Sequence, residues 1–583
     1  MDQLRKEARR VLHQTPWNRP TTLESASARL TLPQLWTNVS SHENSTHLDA
    51  CESLYAALSF VETGYDPLLP VQDNAAEATA INALCQWASQ LALPSLEFAT
   101  NFDENPEITE EDKNSQEESR LKSELAAQFI TLMGAKAIPT LDDRSVVTSP
   151  AVIVAMASFT SEKDPWTTKA SNNCAEILLN MSCQNDLWSV IERVLREKIR
   201  PLFTKTKNPA ITSEGRKNLH PVPRTRFDGG ALDDSTKPWK TTDVYAPAVL
   251  SWIICQYKVD HSKPAHKANL EAHFPLLVPA ILALIDDNNI NYKIKGCDLL
   301  SQLLKPIQES GSDILLRTNL VSVFQEAITA CLLSLPSITP ETSSLKLLGA
   351  AYPALLDLLK ATYQFTAKQA TSKTDKNTQS YITNLTKILR SNLISSFHHI
   401  SSSTPASTNA PTSFPHPRLS TFLLGWISTF ISELGIHSTK YLQDVIPILY
   451  TTLSNPFGTA HPPLLSAAIA TTKTTILSAH PRIWRWRGEI LGGLAACWLH
   501  VVEERKGNGK TPTPVLDGLA RGLQSTAFAL KYTLQNPVPI TGGSLDPDQV
   551  AVKEEVRSGF QALVDADPEL EGLLSLDVAD IQS

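Results

Sequence analysis

A few places along the chain bring together residue types that could do chemistry. Gly507-Asn508-Gly509-Lys510-Thr511 approximates a phosphate-binding loop. That loop needs a glycine five residues ahead of Gly509, where this chain has Glu504, and no strand leads into it. Pro512 follows directly, so a solvated turn accounts for the segment. His42-Glu43 and His47 approach a zinc-protease motif, but the two histidines are five apart. At that spacing they diverge around a helix instead of sharing a face. His261, His266, His273 and the pair His398-His399 lack acidic or thiol partners at ligand spacing, and read as surface or packing residues. Neither a G-x-S-x-G elbow nor a dinucleotide fingerprint occurs. The cysteines, at 51, 85, 174, 183, 255, 297, 331 and 497, include no C-x-x-C pair. They read as reduced core residues of an intracellular protein in preference to disulfides. The residues therefore predict no enzyme, no metal and no cofactor.

One stretch favours binding over chemistry. Pro481-Arg482-Ile483-Trp484-Arg485-Trp486-Arg487 alternates the two residue types that dominate protein interfaces. The same residues also cover helices through long stems and ring stacking. Trp484, Arg485, Trp486 and Arg487 are thus a candidate protein interface, with structural packing as the competing reading.

These residues need elements to position them. The chain is longer than the roughly 250–300 residues a single core supports, so several helical domains or one extended array are expected. Hydrophobic residues make up 42% and charged ones 19%, enough for a packed core. The net charge of −8 argues mildly against a general grip on nucleic acid. The opening residues Met1–Glu7 carry no apolar run, so no signal peptide is expected. The apolar runs Pro275–Ile285 and Ile490–Val502 fall short of the about 20 residues a membrane span requires.

Composition divides the chain. Residues 1–100 and 121–200 read as helical regions, separated by an acidic segment at 101–120. Between Asp103 and Glu118 eight carboxylates face one lysine, Lys113, a pattern of a solvated linker or an acidic docking tail. Residues 201–243 form a long proline- and glycine-bearing loop. A C-terminal repeat region follows at 244–583, interrupted by polar sequence at Thr362–Ser380 and by a Ser/Thr/Pro-rich insertion near 401–417 that reads as disordered. Strand signals are scarce, so the fold class is all-α.

The repeat signal is strongest at Leu270–Leu304. Leu270, Phe274, Leu277, Val278, Ile281, Leu282 and Ile285 trace one helical face, and Asp286-Asp287-Asn288-Asn289 ends it. Ile290, Ile294, Cys297, Leu300 and Leu304 trace the next. Pro275 and Pro279 in the first helix, Asp287 in the turn, Lys293 six residues on and Gly296 after it match a HEAT repeat. Asp287 would satisfy amides at the start of the second helix, and Lys293 would pair with an aspartate of the hairpin or its neighbour. Gly296 would let the helices approach. Comparable faces recur at Phe324–Leu335, Leu345–Leu359, Leu442–Leu453 and Ile490–Val501. One hairpin cannot cover its own apolar face but stacked hairpins can, so the expectation is a HEAT-like helical-repeat solenoid.

Three segments in order carry a resemblance: Lys237-Pro238-Trp239-Lys240, the hairpin Phe274–Cys297, and Pro481–Trp498 with its Arg482-Ile483-Trp484 and Trp486-Arg487-Gly488-Glu489 runs. Over roughly residues 200–500 the chain resembles the second Tel-interacting protein family, in a filamentous-fungal form. That resemblance implies a non-catalytic subunit of the TTT co-chaperone complex, partnered by the Tel-two protein and the first Tel-interacting protein. It further implies work with the Hsp-ninety machinery in maturing phosphatidylinositol-kinase-related protein kinases, and thereby in DNA-damage and TOR signalling, in cytoplasm and nucleus. No membrane or nucleic-acid partner is implied. The alternative is another helical-repeat adaptor, such as a nuclear-transport or trafficking scaffold.

Overall fold

The structure is a computed structural model. It describes residues 2–14, 16–20, 22–23, 31–41, 46–65, 74–102, 108–136, 148–182, 186–204, 208–212, 215–221, 237–258, 265–363, 376–402, 414–507, 511–539, 545 and 547–575. Among these residues the only extended pairing is a single antiparallel bridge between Ile211 and Lys217. Everything else regular is helix, and the fold is an all-α helical repeat.

The chain forms two compact units. The first comprises Met1–Cys331 with Pro353–Thr362, and the second Leu332–Tyr352 with Tyr363–Ser583. Composition placed the division at the 201–243 loop, but the described parts of that loop lie inside the first unit. Trp239, fully buried, shows why: the loop carries its own core residue.

In the N-terminal part of the first unit alternate helices pack against one another. Asp2–Gln14 lies on His47–Thr63, which lies on Glu110–Lys136, which lies on Lys169–Ser182. A second layer runs from Leu32–Ser40 to Asn74–Ala92 to Pro150–Ala157. Alternation of this kind is how stacked hairpins bury a continuous core. It begins at the first helix, where the sequence offered no recognisable motif.

Several helix starts are built from local chemistry. Thr31 with Gln34 and Thr46 with Asp49 form reciprocal capping boxes. Thr109 and Asp112 do the same, each side chain accepting the other's backbone N–H at 2.9 and 3.2 Å. That cap corrects the acidic-linker expectation. Glu110–Lys136 is one helix of 27 residues, so the later acidic residues open a helix, where carboxylates favour the positive end of the dipole. Lys113 pairs with Glu110 at 2.6 Å and Arg120 with Glu117 at 2.7 Å on its exposed side. Asp103, Glu104 and Glu107 lie outside the described residues.

The central hairpin is as read: Ala265–Ile285 and Ile290–Glu309 pack together across a short polar turn. The first helix begins earlier than its apolar run suggested. His266–Ile285 has a mean hydropathy of 1.6 and would reach across a membrane by length and composition, as would Pro417–Leu453. The expectation that such runs are too short is corrected for length. Ala265–Ile285 nevertheless buries Leu270, Phe274, Leu277 and Ile281 in the unit's core.

In the second unit Pro417–Leu434 packs on Pro462–Ser478, which packs on Thr513–Gln535, while Leu442–Leu453 packs on Arg487–Lys506. The starts at Pro417, Pro462 and Thr513 are 45 and 51 residues apart, a HEAT-like period. Pro462–Ser478 buries Thr471, Thr472 and Thr475, each hydroxyl donating to the carbonyl four residues back. Most of the 401–417 insertion, at 403–413, lies outside the described residues, as does most of Thr362–Ser380, but Ser395–Ser402 is helical and Phe414 is buried.

Candidate functional site

The three segments that carried the resemblance fall into two clusters. The first is built around Asp287, whose side chain is fully buried. The turn after Ala265–Ile285 leaves the first amides of Ile290–Glu309 without helical partners. Asn289 N–H donates to Asp287 Oδ1 at 2.8 Å, and Asn289 Oδ1 accepts the N–H of Asn291 at 2.8 Å. Asp287 thus fixes the turn, and Asn289 caps the helix.

The charge on Asp287 is met from a distant part of the sequence. Lys240 Nζ lies 2.8 Å from Oδ1, and Lys237 Nζ lies 3.4 Å from Oδ2 at an angle too poor for a hydrogen bond. Both ammonium groups are nearly buried. Between them Trp239 stacks on Phe203 with ring centroids 4.4 Å apart, and its carbonyl accepts the Tyr292 hydroxyl at 3.2 Å. Its indole N–H has no acceptor among the described residues. Lys240 also sits 5.7 Å above the Tyr292 ring. The reach to Asp287 explains why Lys237-Pro238-Trp239-Lys240 accompanies the hairpin. The cations serving Asp287 are Lys237 and Lys240.

Further residues join from the 3₁₀ segment Leu96–Phe102 and from the turn holding Asp164 and Trp166. Asn289 Nδ2 and Asn291 Nδ2 both donate to the Phe102 carbonyl at 2.9 Å, and the Phe102 ring stacks on Tyr292 at 5.5 Å. Phe102 also touches Trp166 at 6.1 Å, and Lys295 reaches Asp164 at 3.4 Å. The paired asparagines in the turn were the available signal; what they reach was not. Gly296 plays the expected role, since a Cβ there would lie 2.7 Å from the Ile285 nitrogen. The arrangement welds a turn, a loop and a helical hairpin. It offers no group poised for proton or group transfer.

The second cluster is the Trp/Arg stretch. His480–Trp486 is a 3₁₀ segment leading into Arg487–Lys506. Pro481 and Ile483 are buried and anchor it. Trp484 and Trp486 are half-buried, whereas Arg485 and Arg487 are exposed. The Arg485 guanidinium lies 5.0 Å over the Trp484 ring, and Arg487 donates to the Trp484 carbonyl at 2.9 Å. Gln549 Nε2 donates to the Pro481 carbonyl at 3.1 Å from Pro547–Ala566. Beside Arg487 lies a cavity of about 320 Å³ walled by Leu491, Leu530, Val556 and Phe560. Both packing and exposure are therefore present, with the tryptophans seated and the arginines outward.

The remaining chemical candidates do not converge. His42, Glu43, His261, Cys183 and Lys510 lie outside the described residues. His47 meets Glu97 at 2.8 Å, and the Glu97 carboxyl, though burial pushes it up, is held below its usual range by Ser95 and His47. His266 lies edge-on to Trp188. His273 is buried beside Tyr257, whose hydroxyl lies 2.7 Å from Nδ1. His399 contacts the Pro336 carbonyl at 3.3 Å. Cys51, Cys85 and Cys497 are buried thiols pushed up to about 12 by desolvation. Cys297 is also raised, by its hydrogen bond to Cys331 and by burial. Cys255 departs from the core reading, because it ends its helix at the surface.

The family model described as the Tti2 family matches residues 152–460, which contain the whole Asp287 hairpin and the loop that reaches it. More than half of the chain is covered, and so the chain belongs to the Tti2 family, the scaffold subunits of the TTT complex.

Proposed function

We propose that this chain is the scaffold through which a TTT complex, with the Tel-two protein and the first Tel-interacting protein, assists the Hsp-ninety machinery in maturing phosphatidylinositol-kinase-related kinases. The family match over 152–460 carries the reading. The way the chain spends its residues supports it: charged groups buried at Asp287 hold helices together, and most of the other buried side chains among the described residues are apolar. A protein acting this way works by presenting surface, and cytoplasm and nucleus are its expected locations.

Within this reading the exposed Arg485 and Arg487 contact the first Tel-interacting subunit. Affinity purification of the tagged full-length chain from native cells tests the assignment. Both other TTT subunits should be recovered together. Recovery of neither refutes it, and recovery of transport or trafficking cargo instead would favour a generic adaptor.

A further inference from the structure

Between Ile191 and His220 the chain carries eight lysines and arginines against three glutamates, although its net charge is −8. Part of that charge lines a cleft in the first unit. Leu187–Val194 runs into a π turn at Leu195–Ile199, where the Arg200 N–H reaches the Leu195 carbonyl five residues back. Pro201 follows, and its ring opposes a regular α turn at this point. π turns set into helices concentrate at functional sites. The cleft encloses about 260 Å³, with Arg196, Arg200 and Thr212 on its polar side and Phe203, Pro275 and Pro279 on its apolar side.

One wall is fixed by geometry. Gly215 has φ +64°, and a Cβ there would fall 2.6 Å from the Pro275 Cα, so the backbone at Gly215 is pressed directly onto Pro275. The charge on the rim is only partly answered. Arg196 pairs with Glu192 at 2.8 Å and Arg193 with Glu197 at 3.8 Å, all exposed. Arg200 is exposed and makes no ion pair among the described residues.

We infer that this cleft binds an acidic peptide segment of a partner protein. Its carboxylates would engage Arg196 and Arg200, whose planar guanidinium groups match that geometry. An apolar side chain of the same segment would rest against Phe203 and Pro279. The inference stands independently of the TTT role, because it follows from charge and shape alone.

Fluorescence anisotropy with the full chain tests it, using a labelled pentapeptide of leucine flanked by two glutamates on each side. Binding should be saturable at low salt, and Arg196→Glu with Arg200→Glu should weaken it by at least about tenfold. Arg193→Glu with Lys198→Glu alters the same helical segment off the cleft and should cost less than about threefold. Ala272→Trp fills the cleft while leaving every charge, and should weaken binding as much as the arginine reversals. Replacing the peptide's leucine with serine should also weaken it. Circular dichroism establishes that each variant is folded. Absence of binding by the native chain overturns the inference. So does equal loss in the two charge-reversal pairs, or indifference to both Ala272→Trp and the leucine, since either would reduce the cleft to general polyanion attraction.

Discussion

Removing the carboxylate of Asp287 should loosen the central hairpin more than any surface change of similar size. In Asp287→Ala the ammonium groups of Lys237 and Lys240 stay almost fully buried with their shared counter-charge gone. Breaking a buried pair in this way costs about 3–5 kcal/mol, because the desolvation of the remaining charges is no longer offset by the carboxylate. The lost bond to the Asn289 amide adds about 1 kcal/mol. A sum of about 4–6 kcal/mol corresponds to at least roughly three decades in an opening equilibrium. Hydrogen exchange read by mass spectrometry should therefore show the Ile290–Glu309 amides exchanging about a thousandfold faster, up to the limit set by global unfolding. The exposed pair Lys113–Glu110, at 56% and 83% side-chain exposure, is the control, and its removal should cost below about 1 kcal/mol. Adding Lys237→Met and Lys240→Met to Asp287→Ala should recover much of the loss, since the buried ammonium groups disappear together with the carboxylate. If Asp287→Ala exchanges no faster than the control, the ion cluster does not hold the hairpin and the reasoning fails.

Other outcomes follow from the same geometry. Gly296→Ala places a Cβ 2.7 Å from the Ile285 backbone and should destabilise by about 1–3 kcal/mol in denaturant titration. Gly349→Ala, in an exposed helical position with open space around it, should instead stabilise by about 0.5–1 kcal/mol. Burial holds the His273 imidazole below its ordinary value of 6.5, so the folded state keeps it neutral while the unfolded chain takes up the proton. Its stabilising effect is present above 6.5 and lost as the pH falls below it; a stability profile should drop across that range in the native chain and flatten in His273→Gln. Arg485→Glu with Arg487→Glu should leave the helical spectrum intact and weaken recovery of the first Tel-interacting subunit, and unchanged recovery would remove that stretch from the interface.

The hairpin at 265–309 was legible because helix-period apolar faces, an aspartate turn and Gly296 all point to one local structure. Local signals of that kind also located the later repeats from Phe324 onward. The acidic stretch misled because composition alone cannot distinguish a solvated tail from the first turns of a helix; the Thr109–Asp112 cap was the overlooked discriminator. The partners of Asp287 were hidden for a different reason. Lys237 and Lys240 lie about fifty residues away in a proline- and glycine-bearing loop with no helical period, and Phe102 is more distant still. Ion pairs across such separations leave no periodic trace. The domain division failed similarly: prolines and glycines mark where a chain turns, whereas Trp239 shows that this loop also belongs to a core. A fragment beginning at residue 244 would therefore cut through the first unit, and interface mapping calls for the full chain.

The measurement closest to the central proposal is depletion of this protein, followed by quantitative proteomics and pulse-labelling of newly made phosphatidylinositol-kinase-related kinases. A partly folded giant kinase deprived of its co-chaperone exposes apolar surface for longer and is lost to aggregation or degradation. Several of these kinases should decline together with their messenger RNA unchanged, and newly made chains should disappear faster. Unchanged kinase levels with unchanged maturation of the labelled pool would contradict the co-chaperone role and leave a binding scaffold of another purpose.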